Sequence, residues 1–187
     1  KKIETLSKKY SVNNNVYYSV IPSKSYYTNE ELKVPFNYDK MFEILNSGIQ
    51  SAKYIDITGD LSLSDYYITD PHWRQEKLSG VLDTLGKNMG FEISFDGYTE
   101  NKYEDFKGQH GINKEDFPKE TLIYLTNSHI DGAKVNHVEG STFDKVYEIE
   151  KLSTNTPYDM FLSGPSAIAT IENQNANSRQ LLDFLVN

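Results

Sequence analysis

The sequence predicts an α/β fold: a parallel sheet flanked by helices, with an antiparallel, β-rich insertion. Two observations carry this. Residues 16–57 run strand, helix, strand, which calls for a βαβ unit with parallel pairing and a right-handed crossover. Beyond Gly90 the pattern changes to short strand-like runs separated by turn chemistry.

Val16-Tyr17-Tyr18-Ser19-Val20-Ile21, closed by Pro22, is apolar almost throughout, as suits a strand buried on both faces. Tyr38, Met41, Phe42 and Leu45 follow at helical spacing, with Asn37 placed to cap that helix and Gly48 to stop it. Tyr54-Ile55-Asp56-Ile57 reads as the second strand, and the carboxyl edge of such a pair is where chemistry usually sits. Leu78, Val81, Leu82, Leu85 and Met89 form one apolar stripe, which predicts a helix from about Trp73 to Met89, stopped by Gly90. Phe91–Phe95, Thr121–Leu125, Ala133–Val138 and Lys145–Ile149 are the strand-like runs of the insertion, with Asp131-Gly132 and Glu139-Gly140 as turns. Ala167–Ile171 and the apolar run Leu181–Val186 are expected to return to the main sheet across a polar turn at Asn173–Ser178. The whole of 1–187 is expected to be a single domain, incomplete at both ends, with the insertion at about 91–160.

Composition narrows the function. Acidic residues outnumber basic ones 27 to 19 and no Lys/Arg stripe offsets the net charge of −8, so the footprint of a nucleic-acid binder is missing. No run approaches the roughly 20 apolar residues of a membrane span. The absence of cysteine rules out a thiol nucleophile, disulfides and thiolate-ligated metals. The first residue is not Met and the last apolar run has no following turn signal, so a signal or anchor segment is expected to have been lost from a longer chain.

The segment Asp65-Tyr66-Tyr67-Ile68-Thr69-Asp70-Pro71-His72-Trp73 sets a carboxylate and an imidazole two residues apart and contains the only Trp. An imidazole can take the proton of a weakly nucleophilic hydroxyl, and a carboxylate on its other nitrogen fixes the tautomer and stabilises the imidazolium. A second account competes: Asp is a favoured N-cap and Pro a favoured first helical residue, so Asp70-Pro71 could simply start the helix. The two are compatible, since a capping Asp can also orient a His.

Tyr67-Ile68-Thr69-Asp70-Pro71-His72-Trp73 resembles the Y-x-T-D-x-H-W core of the DHHW family and its relatives, the alginate O-acetylation proteins. Val16–Lys24 resembles the upstream YYxxIPxK strand, and Tyr54–Ile57 the strand before the motif. Met160–Gly164 with Thr170–Asn173 resembles the downstream FLxG…TIxNPNA block, so the likeness runs from about Val16 to Ala176. Pro71 stands where the family name has its first His, and Gln174 where the block usually has Pro. The resemblance implies an SGNH-like parallel sheet, with His72 as general base and Asp70 as its orienting partner. Its serine would lie in an R-D-S-F segment just after the strand matching Leu181–Val186, where this chain stops. Ser163, Ser166 and Ser178 lack the right neighbours and read as loop residues.

The other candidates are weaker. His110, His129 and His137 have no ligand-set spacing and read as loop histidines. Glu104, Asp105, Glu115 and Asp116 read as a solvated polar connection. Gly108, Gly111 and Gly164 open no phosphate-cradling loop. Fourteen tyrosines fit both a carbohydrate-reading surface and plain sheet propensity. The resemblance therefore implies an esterase or O-acyltransferase of the bacterial cell envelope or extracellular space. It would act on acyl esters of polysaccharide, without metal or cofactor. The alternative is a non-catalytic envelope or carbohydrate-binding domain that keeps the fold; a serine in an Arg-Asp-Ser-Phe context downstream would separate the two.

Overall fold

The computed structural model describes residues 2–137, 142–143, 145–161 and 169–172. Helix α1 (Lys2–Tyr10) docks through polar contacts. Its Glu4 carboxylate accepts from Gln50 N at 2.9 Å and Ser51 Oγ at 2.9 Å, and Ser7 is its buried residue. Strand β1 (Tyr17–Tyr18) leads through the short helix α2 (Lys24–Tyr27) to α3 (Tyr38–Gly48), and the chain returns in β2 (Lys53–Tyr54). The two strands are parallel, with Tyr17 opposite Lys53 and Tyr18 opposite Tyr54; Lys53 N to Val16 O and Ile55 N to Tyr18 O extend the ladder. The βαβ expectation therefore holds, and Asn37 caps α3, its Oδ1 accepting from Lys40 N at 2.8 Å.

Helix α4 (Ser79–Met89) follows a 3-10 turn at Gln75–Lys77 and ends on Gly90, whose φ of 81° needs a residue without Cβ. The expected start at Trp73 is corrected by this. Trp73 instead forms an antiparallel bridge with Tyr66, with Arg74 N bonded to Asp65 O and Tyr67 N to His72 O. The backbone of 66–73 is thus folded back on itself before the helix begins.

Strands β3 (Thr99–Phe106) and β4 (Glu120–Thr126) form an antiparallel pair with an irregularity between Tyr103 and Phe106. Glu104 and Asp105 lie on β3, not in a connection, and Asp105 pairs with Lys119 at 2.6 Å. Helix α5 (Ser128–Asp131) is capped by Asn127. Strand β5 (Lys134–His137) pairs antiparallel with both β6 (Thr142–Phe143) and β7 (Ala169–Glu172). β7 therefore joins this antiparallel sheet rather than the parallel one. Two other expected strands do not form. Phe91–Phe95 is irregular chain from which Ile93 and Phe95 pack inward, and Lys145–Ile149 contributes one bridge, Tyr147 to Phe161, before a 3-10 turn at Ile149–Ser153. Leu181–Val186 and Asn173–Ser178 lie outside the described residues.

Among the described residues burial forms two cores. Ile55, Ile57, Leu61, Tyr66, Leu78, Val81 and Leu82 pack behind the parallel strands, joined by Trp73 at their margin. Tyr67, Phe106, Leu122, Val146, Tyr147, Met160 and Phe161 are the centre of the other, over the antiparallel pair. Tyr66 and Tyr67 are adjacent in sequence, and their side chains enter opposite cores, as alternation along extended chain dictates. The segment that follows them is consequently held at the seam between the two halves.

Candidate active site

The seam segment carries Asp70 and His72. Asp70 Oδ1 lies 2.5 Å from His72 Nδ1 and accepts the His72 backbone N–H at 3.1 Å. Asp70 Oδ2 accepts from Gln109 N at 3.0 Å. The carboxylate is 2% exposed and the imidazole 51% exposed, so the acid is sealed while the base faces out. Burial works against the Asp70 charge, but the hydrogen bonds from the His72 ring, Gln109 N–H and His72 N–H outweigh it and hold the carboxyl below its ordinary range. Among the described residues nothing hydrogen-bonds His72 Nε2, the nitrogen a general base would use. Asp70 caps no helix, since its side chain closes a local turn onto His72 N; the helix-start account of Asp70-Pro71 is set aside.

Both halves of the molecule grip this loop, with opposite polarity. From α2, Lys24 Nζ donates to the carbonyls of Tyr67 at 2.7 Å, Ile68 at 3.2 Å and Asp70 at 3.0 Å. Burial lowers the Lys24 pKa, opposed by the charges of Glu120 and Asp70. From the first residue of β4, Glu120 accepts Ile68 N at 2.8 Å, Thr69 N at 2.7 Å and Thr69 Oγ1 at 2.6 Å. Arg74 pairs with Glu120 Oε1 at 2.8 Å and lies over the Tyr67 ring at 4.5 Å, so the buried carboxylate is paired as well as hydrogen-bonded.

The chain between β3 and β4 supplies the remaining contacts. Gly108 N donates to Thr69 Oγ1 at 2.9 Å and His110 N to Thr69 O at 3.0 Å. A Cβ on Gly108 would collide with Asp70 Cβ and come within 2.5 Å of its Oδ2, and one on Gly111 would press on Thr69. Gly108 thus permits close approach to the Asp70 carboxyl and Gly111 close approach to Thr69, a role unrelated to phosphate binding. His72 itself stacks on Tyr158, with ring centroids 4.0 Å apart and planes within 4°.

The sequence-predicted pair is therefore brought together. Lys24, Gly108, Glu120 and Tyr158 are the partners that sequence reasoning missed, because each lies tens of residues from the motif. Lys24 alone had a signal, as the last residue of the upstream strand block. His110 lies in the chain between β3 and β4 and His129 on α5, and Glu115 and Asp116 are exposed in the connection. Ser163, Ser166, Ser178, Gly164 and the His137 side chain lie outside what is described. Among the described residues no three His, Cys, Asp or Glu come together as a metal-binding group, and no helix is long and apolar enough to cross a membrane.

The sequence matches no protein-family model and no curated protein. Two solved structures are similar. Bacillus cereus PatB1, determined with a sulfonyl adduct, matches with a TM-score of 0.68 at 22% identity, over 93% of this chain and 66% of that one. A DHHW family protein from Eubacterium siraeum matches with a TM-score of 0.68 at 16% identity, over 98% of this chain and 71% of that one. The chain thus spans about two thirds of the length of the structures it matches, and over that span it has the mixed α/β fold of a DHHW family protein and of PatB1.

Proposed function

We propose that this chain carries the acid–base pair of an SGNH-like esterase or O-acyltransferase of the DHHW type, with His72 as general base and Asp70 as its orienting carboxylate. The observation that supports it is the pair's geometry: a buried carboxylate, held below its ordinary pKa, on Nδ1 of a half-exposed imidazole. The fold shared with PatB1 adds to it, because a sulfonyl adduct is what an activated nucleophile acquires from a sulfonylating reagent.

In this reading Nδ1 carries the proton that Asp70 holds. A serine hydroxyl attacks the acyl carbonyl as its proton passes to His72 Nε2. Collapse of the tetrahedral intermediate expels the alcohol, which takes that proton and leaves an acyl-serine. A second hydroxyl then gives its proton to Nε2, attacks the acyl carbon and frees the serine, which recovers the proton. Water as this second nucleophile makes the protein an esterase, and a sugar hydroxyl makes it a transferase. We assign the substrate to acyl esters of a cell-envelope or extracellular polysaccharide, the location to the cell surface or outside it, and the whole chain to one SGNH-like domain with the 91–160 region inserted. No metal or cofactor enters these steps.

The test is turnover of a small acetyl ester by the complete protein and its His72→Ala variant. Loss of about 10²–10⁴-fold in rate, beyond what any fall in melting temperature accounts for, is expected for a general base. Full activity in the variant would refute the assignment.

A further inference from the structure

We infer that Tyr158 is a positioning residue for His72, fixing the plane of the imidazole and stabilising its charged form during proton transfer. The inference rests on the reading of His72 as general base. Asp70 holds the ring at one point, Nδ1, which leaves the imidazole free to swing about that contact. The face of Tyr158 removes this freedom: centroids 4.0 Å apart and a 4° interplanar angle make the two rings a parallel stack. With plane and edge both set, the direction of Nε2 follows. An aromatic face also attracts the cation that forms when Nε2 takes a proton, on the side Asp70 does not reach.

Tyr158 is built to serve as such a template. It sits in the 3-10 turn Pro157–Met160, which begins on buried Pro157 and ends on buried Met160. Its ring leans on Phe161 at 4.9 Å and Tyr67 at 6.1 Å. Its hydroxyl donates to the carbonyl of Trp73 at 3.2 Å, one residue beyond His72, so ring and backbone of the motif are referenced to the same side chain. A residue needed only for bulk would have no reason to lie parallel to a half-exposed imidazole.

The test uses the complete protein, comparing Tyr158→Phe, which keeps the face and loses the hydroxyl, with Tyr158→Leu, which keeps bulk and loses the face. In the wild type, NMR should show His72 Hε1 and Hδ2 shifted upfield by the tyrosine ring, with cross-relaxation between the two rings. Tyr158→Phe should keep these signatures and kcat within about 3-fold. Tyr158→Leu should lose them and lower kcat about 3- to 30-fold, the range of a lost cation–π contact, with KM unchanged. Equal kcat in wild type and Tyr158→Leu overturns the inference. So does absence of the ring signatures in the wild type, a result that needs no variant to fold and no catalytic assignment of His72.

Discussion

The two halves of the molecule hold the same eight-residue loop by different means. The parallel half commits only two residues per strand to its sheet and holds the loop through the buried Tyr66 hydroxyl, which donates to Pro22 O, and through one cation, Lys24, which gathers three carbonyls. The antiparallel half pairs strands of eight and seven residues and reaches it with a rigid strand end, Glu120, and with the backbone of Gly108, Gln109 and His110. Carbonyls turn toward the cation and N–H groups toward the anion, so the loop is strung between opposite charges. The difference teaches where precision comes from: contacts to Asp70 and Thr69 side chains come from the antiparallel half alone, while the parallel half supplies backbone support. Damage to the antiparallel grip should therefore disturb chemistry as well as stability.

The largest effect is expected for Glu120→Leu. It leaves Arg74 without its anion and strips the part-buried Ile68 N–H and the buried Thr69 N–H of their acceptor, which should cost about 3–5 kcal/mol. Denaturant melts would measure it. Lys24→Met, the matching cut on the parallel side, should cost less, about 1–2 kcal/mol, because the ammonium is only partly buried and no buried ion pair is broken. If Lys24→Met proves the costlier of the two, the comparison is reversed.

Gly108→Ala sharpens the comparison further. Forcing a methyl against Asp70 and Thr69 should cost about 1–3 kcal/mol. Because the displaced group is the carboxylate proposed to orient His72, turnover should fall by more than the melting temperature implies. A variant with unchanged turnover would show that the loop yields without moving Asp70.

The smallest effect is the pH dependence of the Asp70 contribution. Its folded pKa lies below the ordinary 3.8, so its charge stabilises the fold fully above that value, and the contribution is lost as pH falls through the folded pKa. The stability gap between wild type and Asp70→Asn should accordingly narrow in acid, below about pH 4. A gap that widens there would mean that burial, not hydrogen bonding, controls this carboxyl.

These contrasts explain what was legible in the sequence. The βαβ unit, the Asn37 cap, the Gly90 stop and the stripe of α4 were readable because each is a local pattern. Strand β3 was not: Thr-Glu-Asn-Lys-Tyr-Glu-Asp-Phe buries only Phe106 fully, so its one packed face is nearly polar. Helix α1 escaped notice because it docks through Glu4 and Ser7 rather than an apolar stripe. Phe91–Phe95 misled in the other direction, since its alternating apolar residues pack inward from irregular chain. At the site, Asp70 and His72 were legible because two residues of spacing suffice to join them. Glu120 was not, because 51 residues separate it from Thr69 and nothing local marks it.

The central claim is that Asp70 and His72 act as one unit in proton transfer. Its most direct measurement is a double-mutant cycle of turnover in the complete protein with Asp70→Asn, His72→Ala and both together. The account predicts strong non-additivity: each single change lowers turnover by about 10²-fold or more, and the double variant is little worse than His72→Ala alone. Independent, multiplicative losses, or an Asp70→Asn variant with full turnover, would contradict it.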